Sequence, residues 1–191
     1  MMTNIYFVRH AHSVYSPDER NRPLSERGHQ DAARVAALLE PEHIHVLVSS
    51  PYKRAIQTIE GLADRIGSGI IIEEDLRERL LSEQPVDDFE QAVTKVWEDA
   101  SFAWEGGESN QAAQFRGVQA LKRVLEQYRG NNIAIGTHGN IMVLIMNHFD
   151  PRFDFSFWRQ LDMPDIYKLS FSDQDLAEVQ RIWNRPSPST W

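Results

Sequence analysis

Ile5-Tyr6-Phe7-Val8-Arg9-His10-Ala11-His12 begins with four consecutive apolar residues and runs without a break into an arginine and two histidines. A short continuous run of β-branched and aromatic residues is how a strand buried on both faces reads. Residues that follow such a strand in an open α/β sheet lie at its carboxyl edge, where these sheets gather their ligands. The pattern returns at Ile133-Ala134-Ile135-Gly136, with Thr137-His138-Gly139 directly behind it. Two histidines therefore stand just past the carboxyl ends of two strands. If those strands are neighbours, the imidazoles converge.

Similar runs at 46–48 and 70–72 read as two further strands of the same buried kind. Helical spacing separates them. Ser25 is placed to cap a helix carrying Ala32, Val35, Ala36 and Leu39 on one face, and Ser50-Pro51 opens another carrying Ala55, Ile56, Ile59, Leu62, Ala63 and Ile66. Val118, Leu121, Leu125 and Tyr128 mark a third, ending near Gly130. Strands alternating with helices predict an α/β sandwich with a mainly parallel sheet, and the tail from 166 to 183 predicts one or two more strands at its edge. The acidic stretch 82–108, with Trp97 and Trp104, reads as an insertion covering the carboxyl edge. No repeat or linker divides the chain, so one domain over 1–191 is expected.

Composition narrows the function. Apolar residues are 41% and charged residues 25% of the chain, as in ordinary globular proteins. Twenty Lys and Arg against 28 Asp and Glu leave a formal net charge of −8, which repels nucleic acid but still allows a local basic pocket for a small anion. Cysteine is absent, which removes disulfides, thiolate nucleophiles and thiolate metal sites together. The first apolar run is too short for a signal-peptide core or a membrane span, so a cytoplasmic protein without membrane partners is expected. Oligomeric state is left open by the sequence.

A third chemical segment joins the two histidines. In Ser49-Ser50-Pro51-Tyr52-Lys53-Arg54-Ala55 a strand ends and a helix begins, and Arg54 falls in the helix's first turn. Free backbone N–H groups and the helix dipole favour an anion there, and Arg54 adds a planar fork of donors. Arg9, Arg54, His10 and His138 together suit a compact oxyanion, phosphate first among candidates. With no Cys and no activated Ser, His10 is the nucleophile, and Arg9, Arg54 and His138 stabilise the transferring group. Glu78, in Asp75-Leu76-Arg77-Glu78-Arg79, suits the general acid if burial beside a dianionic ester raises its pKa. A metal reading of His10-x-His12 is disfavoured, since Arg9 repels a cation and barrel hydrolases of that type run to about 250 residues. No metal and no cofactor are expected.

Six segments then resemble, in order, the motif set of the histidine phosphatase superfamily, also called the phosphoglycerate mutase family. They are Val8-Arg9-His10-Ala11, Pro23-Leu24-Ser25-Glu26-Arg27-Gly28, Ser49 through Thr58, Leu76-Arg77-Glu78, Gly107-Glu108-Ser109 and Thr137-His138-Gly139. The resemblance implies a three-layer α/β/α sandwich with phosphate at the carboxyl edge and no metal. It makes His10 the phosphorylated residue, Arg9, Arg54 and His138 the phosphate pocket, Gly139 a substrate contact and Glu78 the proton donor.

Departures from the family pattern stand at Ala11, His12, Ser16 and Asn140. Ser16 replaces a phosphate-contacting Asn and can offer one hydrogen bond, while His12 is expected at the pocket entrance, where it tunes substrate choice. The chain is shorter than the cofactor-dependent mutases. This favours a phosphoric monoester hydrolase, of histidine acid phosphatase type, acting on a small phosphorylated substrate. Phosphoglycerate mutase-type transfer and a non-catalytic phospho-ligand binding module are the alternatives. Phe153, Phe155, Phe157 and Trp158 read as core or subunit contact, and Trp97, Trp104 and Met163 as possible lining of the leaving-group side.

Overall fold

Alternation along the first strand divides its side chains between two cores. In the computed structural model, which describes residues 1–184, β1 (Met2–Arg9), β2 (Val46–Ser49), β3 (Ile70–Ile72), β4 (Asn132–Thr137), β5 (Asp165–Ser172) and β6 (Asp175–Arg181) form one sheet in the order β3-β2-β4-β1-β5-β6. Ile5 and Phe7 of β1 face helices α4 (Asn110–Gln127) and α5 (Gly139–Phe149), while Tyr6 and Val8 face α1 (Glu26–Leu39) and α2 (Lys53–Ile66). The result is a three-layer α/β/α sandwich. β1 to β4 are mutually parallel, and β5 and β6 run antiparallel to their neighbours.

Local chemistry sets the helix ends. Ser25 caps α1 by accepting from Gly28 N at 3.1 Å, and Ser109 caps α4 by accepting from Ala112 N at 3.1 Å. α2 stops at Gly67, whose φ of 64° is the left-handed conformation a side chain would strain. α5 escapes amphipathic reading because Ile141 through Met146 are all buried and no polar face exists to give a period.

Two sequence expectations change. β3 was expected to be buried on both faces, yet it is a three-residue edge strand paired, among the described residues, only with β2, and Ile71 and Ile72 are 45% and 46% exposed. The tail strands were expected at the edge, but β5 lies inside the sheet between β1 and β6, with Ile166, Leu169 and Phe171 fully buried. Of these two tail strands, β6 is the peripheral one. Residues 185–191, the end of the single domain expected over 1–191, lie outside the described residues.

The 82–108 stretch contains α3 (Phe89–Glu98), capped by Asp88, and its base is closed by Glu83 N donating to Glu105 O and Glu108 N to Leu80 O. Trp97 of α3 reaches Asn140 Oδ1 at 3.4 Å, at the start of α5, and stacks on Phe155 of α6 (Phe155–Arg159). Trp104 turns inward to its own segment, donating to Ala92 O. Phe153, Phe157 and Trp158 pack against the main core. Among the described residues no helix is long and apolar enough to cross a membrane.

Candidate active site

His10 and His138 are the first residues beyond β1 and β4, which pair in parallel with Arg9 opposite Thr137. The ladder continues one step, His10 N donating to Thr137 O at 2.9 Å. Adjacent strands lie roughly 4.8 Å apart. Accordingly the two buried imidazoles meet edge to face, ring centroids 5.2 Å apart.

Hydrogen bonding assigns the protons. His10 Nδ1 lies 2.7 Å from Ala11 O, and a carbonyl only accepts, so Nδ1 carries the hydrogen. Arg54 Nε donates to His10 Nε2 at 3.3 Å, and a guanidinium never accepts, so Nε2 holds the lone pair. Both contacts demand the same tautomer. Burial, reinforced by the Arg54 and Arg9 charges, pushes the His10 pKa down to about 3, which leaves a neutral ring at neutral pH. His138 Nε2 lies 2.7 Å from Ser50 Oγ, which itself accepts from Tyr52 N. The hydroxyl proton is thus free for Nε2, and Nδ1–H is a buried donor with no partner among the described residues. Burial, with the nearby His10 and guanidinium groups, drives His138 well below its ordinary pKa.

Arg54 sits where the β2–α2 turn delivers it, and the turn is tied to β4 by Ser50 N donating to Gly136 O. It is 3% exposed. Thr58, one turn on, accepts from Ala11 N at 3.0 Å and donates to Arg54 O at 2.7 Å, linking the loop after His10 to the arginine's own helix. Arg9 donates to Asp162 O at 3.0 Å, and its Nε is buried with no partner among the described residues. It lies across the start of α5, where a Cβ on Gly139 would come within 3.0 Å of Arg9 Nε and press the guanidinium back by a few tenths of an ångström.

Glu78 is partly buried and stands beside His138. Its carboxylate accepts from Asn140 N at 3.0 Å and Ile141 N at 2.9 Å, capping α5 next to His138, and its charge is felt by Arg9, Arg54 and Tyr52. What holds Glu78 there is Arg116 of α4, which donates to Asp75 O, Arg77 O and Glu78 O and takes both oxygens of Glu108. Gly107-Glu108-Ser109 thereby acquires a physical reading: Glu108 anchors Arg116, and Ser109 caps the helix that carries it.

Ser16 and His12 are engaged elsewhere. Ser16 Oγ accepts from Asp18 N within its own loop, and the exposed His12 pairs through Nδ1 with Ser25 Oγ at 2.8 Å. A Cβ on Gly28 would come within 2.0 Å of His12 O, so that glycine lets the post-His10 loop rest on α1. Among the described residues no group of three His, Cys, Asp or Glu side chains is arranged to hold a metal ion.

Sequence reasoning missed Arg22 and Glu19. Arg22 shares Glu19 with Arg54, which places a third guanidinium at the pocket, where its charge adds to burial in lowering His10, His138 and Arg54, and its Nε is buried with no partner among the described residues. Twelve positions separate it from His10, and only the antiparallel return of the loop, with Ser13 bridged to Leu24 and Val14 N bonded to Pro23 O, brings it back. Glu19 pairs with both arginines, at 2.9 Å from Arg22 Nη1 and 3.0 Å from Arg54 Nη2.

A family model described as histidine phosphatase superfamily (branch 1) matches residues 5–184. Phosphoglycerate mutase-like protein 4 of Arabidopsis thaliana is 29% identical over 155 residues, covering 72% of this chain and 67% of its own. Phosphoserine phosphatase 1 of Hydrogenobacter thermophilus is 29% identical over 163 residues, covering 78% and 72%. The solved structure of a mycobacterial glucosyl-3-phosphoglycerate phosphatase superposes with a TM-score of 0.75 at 21% identity, covering 96% of this chain and 99% of that one.

Proposed function

The chain belongs to the histidine phosphatase superfamily, and from that membership we propose that it hydrolyses a small phosphomonoester through a phosphohistidine at His10. His10 Nε2, the lone-pair nitrogen, attacks phosphorus in line with the departing oxygen as the P–O ester bond breaks. Arg9, Arg22, Arg54 and the free Nδ1–H of His138 hold the equatorial oxygens, where charge gathers in the transition state. Glu78 takes up a proton as the dianionic ester binds beside it, passes it to the leaving alkoxide, then takes one from the water that attacks phosphorus as the N–P bond breaks. Free phosphate and the neutral imidazole remain. No step calls on a metal or cofactor.

One observation carries this reading: the Nδ1–H bond to Ala11 O, which turns the unprotonated nitrogen of a neutral, buried ring towards Arg54. Its test is turnover of a panel of phosphate esters by wild type and His10→Ala, both in chelator. The variant should lose at least ~10³-fold, because the covalent route disappears. Acid-labile labelling by an aryl phosphate should appear in wild type alone, and its absence there would leave a binding module. The mutase-like relative keeps phosphoryl transfer within one substrate as the second reading, and 3-phosphoglycerate isomerisation without phosphate release would establish it.

A further inference from the structure

Glu19 sits on the groups that are to receive phosphate. Its carboxylate bonds Arg22 Nη1 and Arg54 Nη2, and its backbone carbonyl accepts from Arg54 Nη1 at 2.7 Å. With Nε on His10, Arg54 has donors committed at all three nitrogens. Each Nη keeps a second N–H, but the carboxylate neutralises the guanidinium and covers one side of Nη2, so a phosphate oxygen meets the full charge there only when the carboxylate leaves.

We propose that Glu19 is an intramolecular anion that yields Arg22 and Arg54 to the substrate's phosphoryl group and returns to them as product phosphate departs. The inference rests on the phosphatase reading of the same pocket.

The surroundings suit such an exchange. Lys53 N donates to Arg20 O, and Asp18 takes both Asn21 N and Asn21 Nδ2, so the loop backbone is anchored on either side of Glu19. The Glu19 side chain is 49% exposed, whereas that of Arg54 is 4% exposed. Rotation of the carboxylate into water therefore clears the site while the carbonyl stays on Arg54. Three guanidiniums would otherwise retain a compact dianion tightly, and product would accumulate on the enzyme. A resident carboxylate lowers affinity for substrate and for product phosphate by one common factor, since both displace the same competitor.

That common factor is the test. Glu19→Gln and Glu19→Ala are compared with wild type in KM for p-nitrophenyl phosphate and in the calorimetric Kd for inorganic phosphate. Both constants should fall together in both variants, by roughly tenfold for loss of one charge-assisted pair. If Glu19 instead orients the arginines, both constants rise and Ala is worse than Gln. A rise, no change, or movement of the two constants in opposite directions each overturns the exchange. Phosphate affinity needs no turnover. Tightened binding in a protein that hydrolyses no ester would therefore sink the phosphatase reading alone, and unchanged binding in an active enzyme would sink the exchange alone.

Discussion

At the scale of single residues, the pocket is paid for in desolvated imidazole. His10 has a pKa of about 3 in the folded protein, and His138 is likewise held well below its ordinary value, both chiefly by burial. An unfolded histidine takes its proton near pH 6.5. Between those values the unfolded chain binds protons that the native rings refuse. The stability these neutral rings carry is whole above about pH 6.5 and falls away as pH drops below it, for His10 until about pH 3. The melting temperature of the free protein should drop by several degrees from pH 7 to pH 5, and His10→Ala should flatten the slope. An unchanged melting temperature would mean that the folded rings accept protons after all. Arg54 and His10 were legible here because each stands in a short motif at a strand or helix end. Arg22 was not, because its membership comes from a loop reversal that leaves no periodic mark.

Elements carry the next constraint, which is the placing of Glu78. Its loop has no regular ladder of its own, and α4 supplies one through Arg116, whose guanidinium holds three carbonyls and Glu108. Lysine carries the same charge but cannot make this planar set of contacts. Arg116→Lys should reduce kcat more than tenfold while changing phosphate affinity little, and should cost about 1–2 kcal/mol of stability for the lost hydrogen bonds to the buried carbonyls. Turnover in the variant equal to wild type would show that the loop keeps Glu78 in place unaided. The helices α1, α2 and α4 were readable from their apolar stripes and caps, and α5 was not, since a helix buried all round shows no stripe.

For the whole molecule, strand order decides whether there is a site at all. Because β4 lies beside β1, two histidines 128 positions apart share one sheet edge, and the helices that begin there bring Arg54 on α2 and hold Glu78 against the start of α5. A ligand that binds only this assembled edge must stabilise the entire fold. Inorganic phosphate at about a hundred times its Kd should add about 2.7 kcal/mol and raise the melting temperature by several degrees. Arg54→Ala should abolish the increase; an equal rise in that variant would mark a general salt effect. The amino-acid sequence by itself determined the strand and helix alternation, the two histidine-bearing strand ends and the family motifs, because each is written in neighbouring residues through burial period, capping and spacing. Only the tertiary structure decided that Arg22 joins the pocket, that Glu19 occupies it and that Arg116 sets Glu78. Those contacts join residues whose proximity depends on how loops fold back across the sheet edge, and no local pattern of side chains encodes that distance.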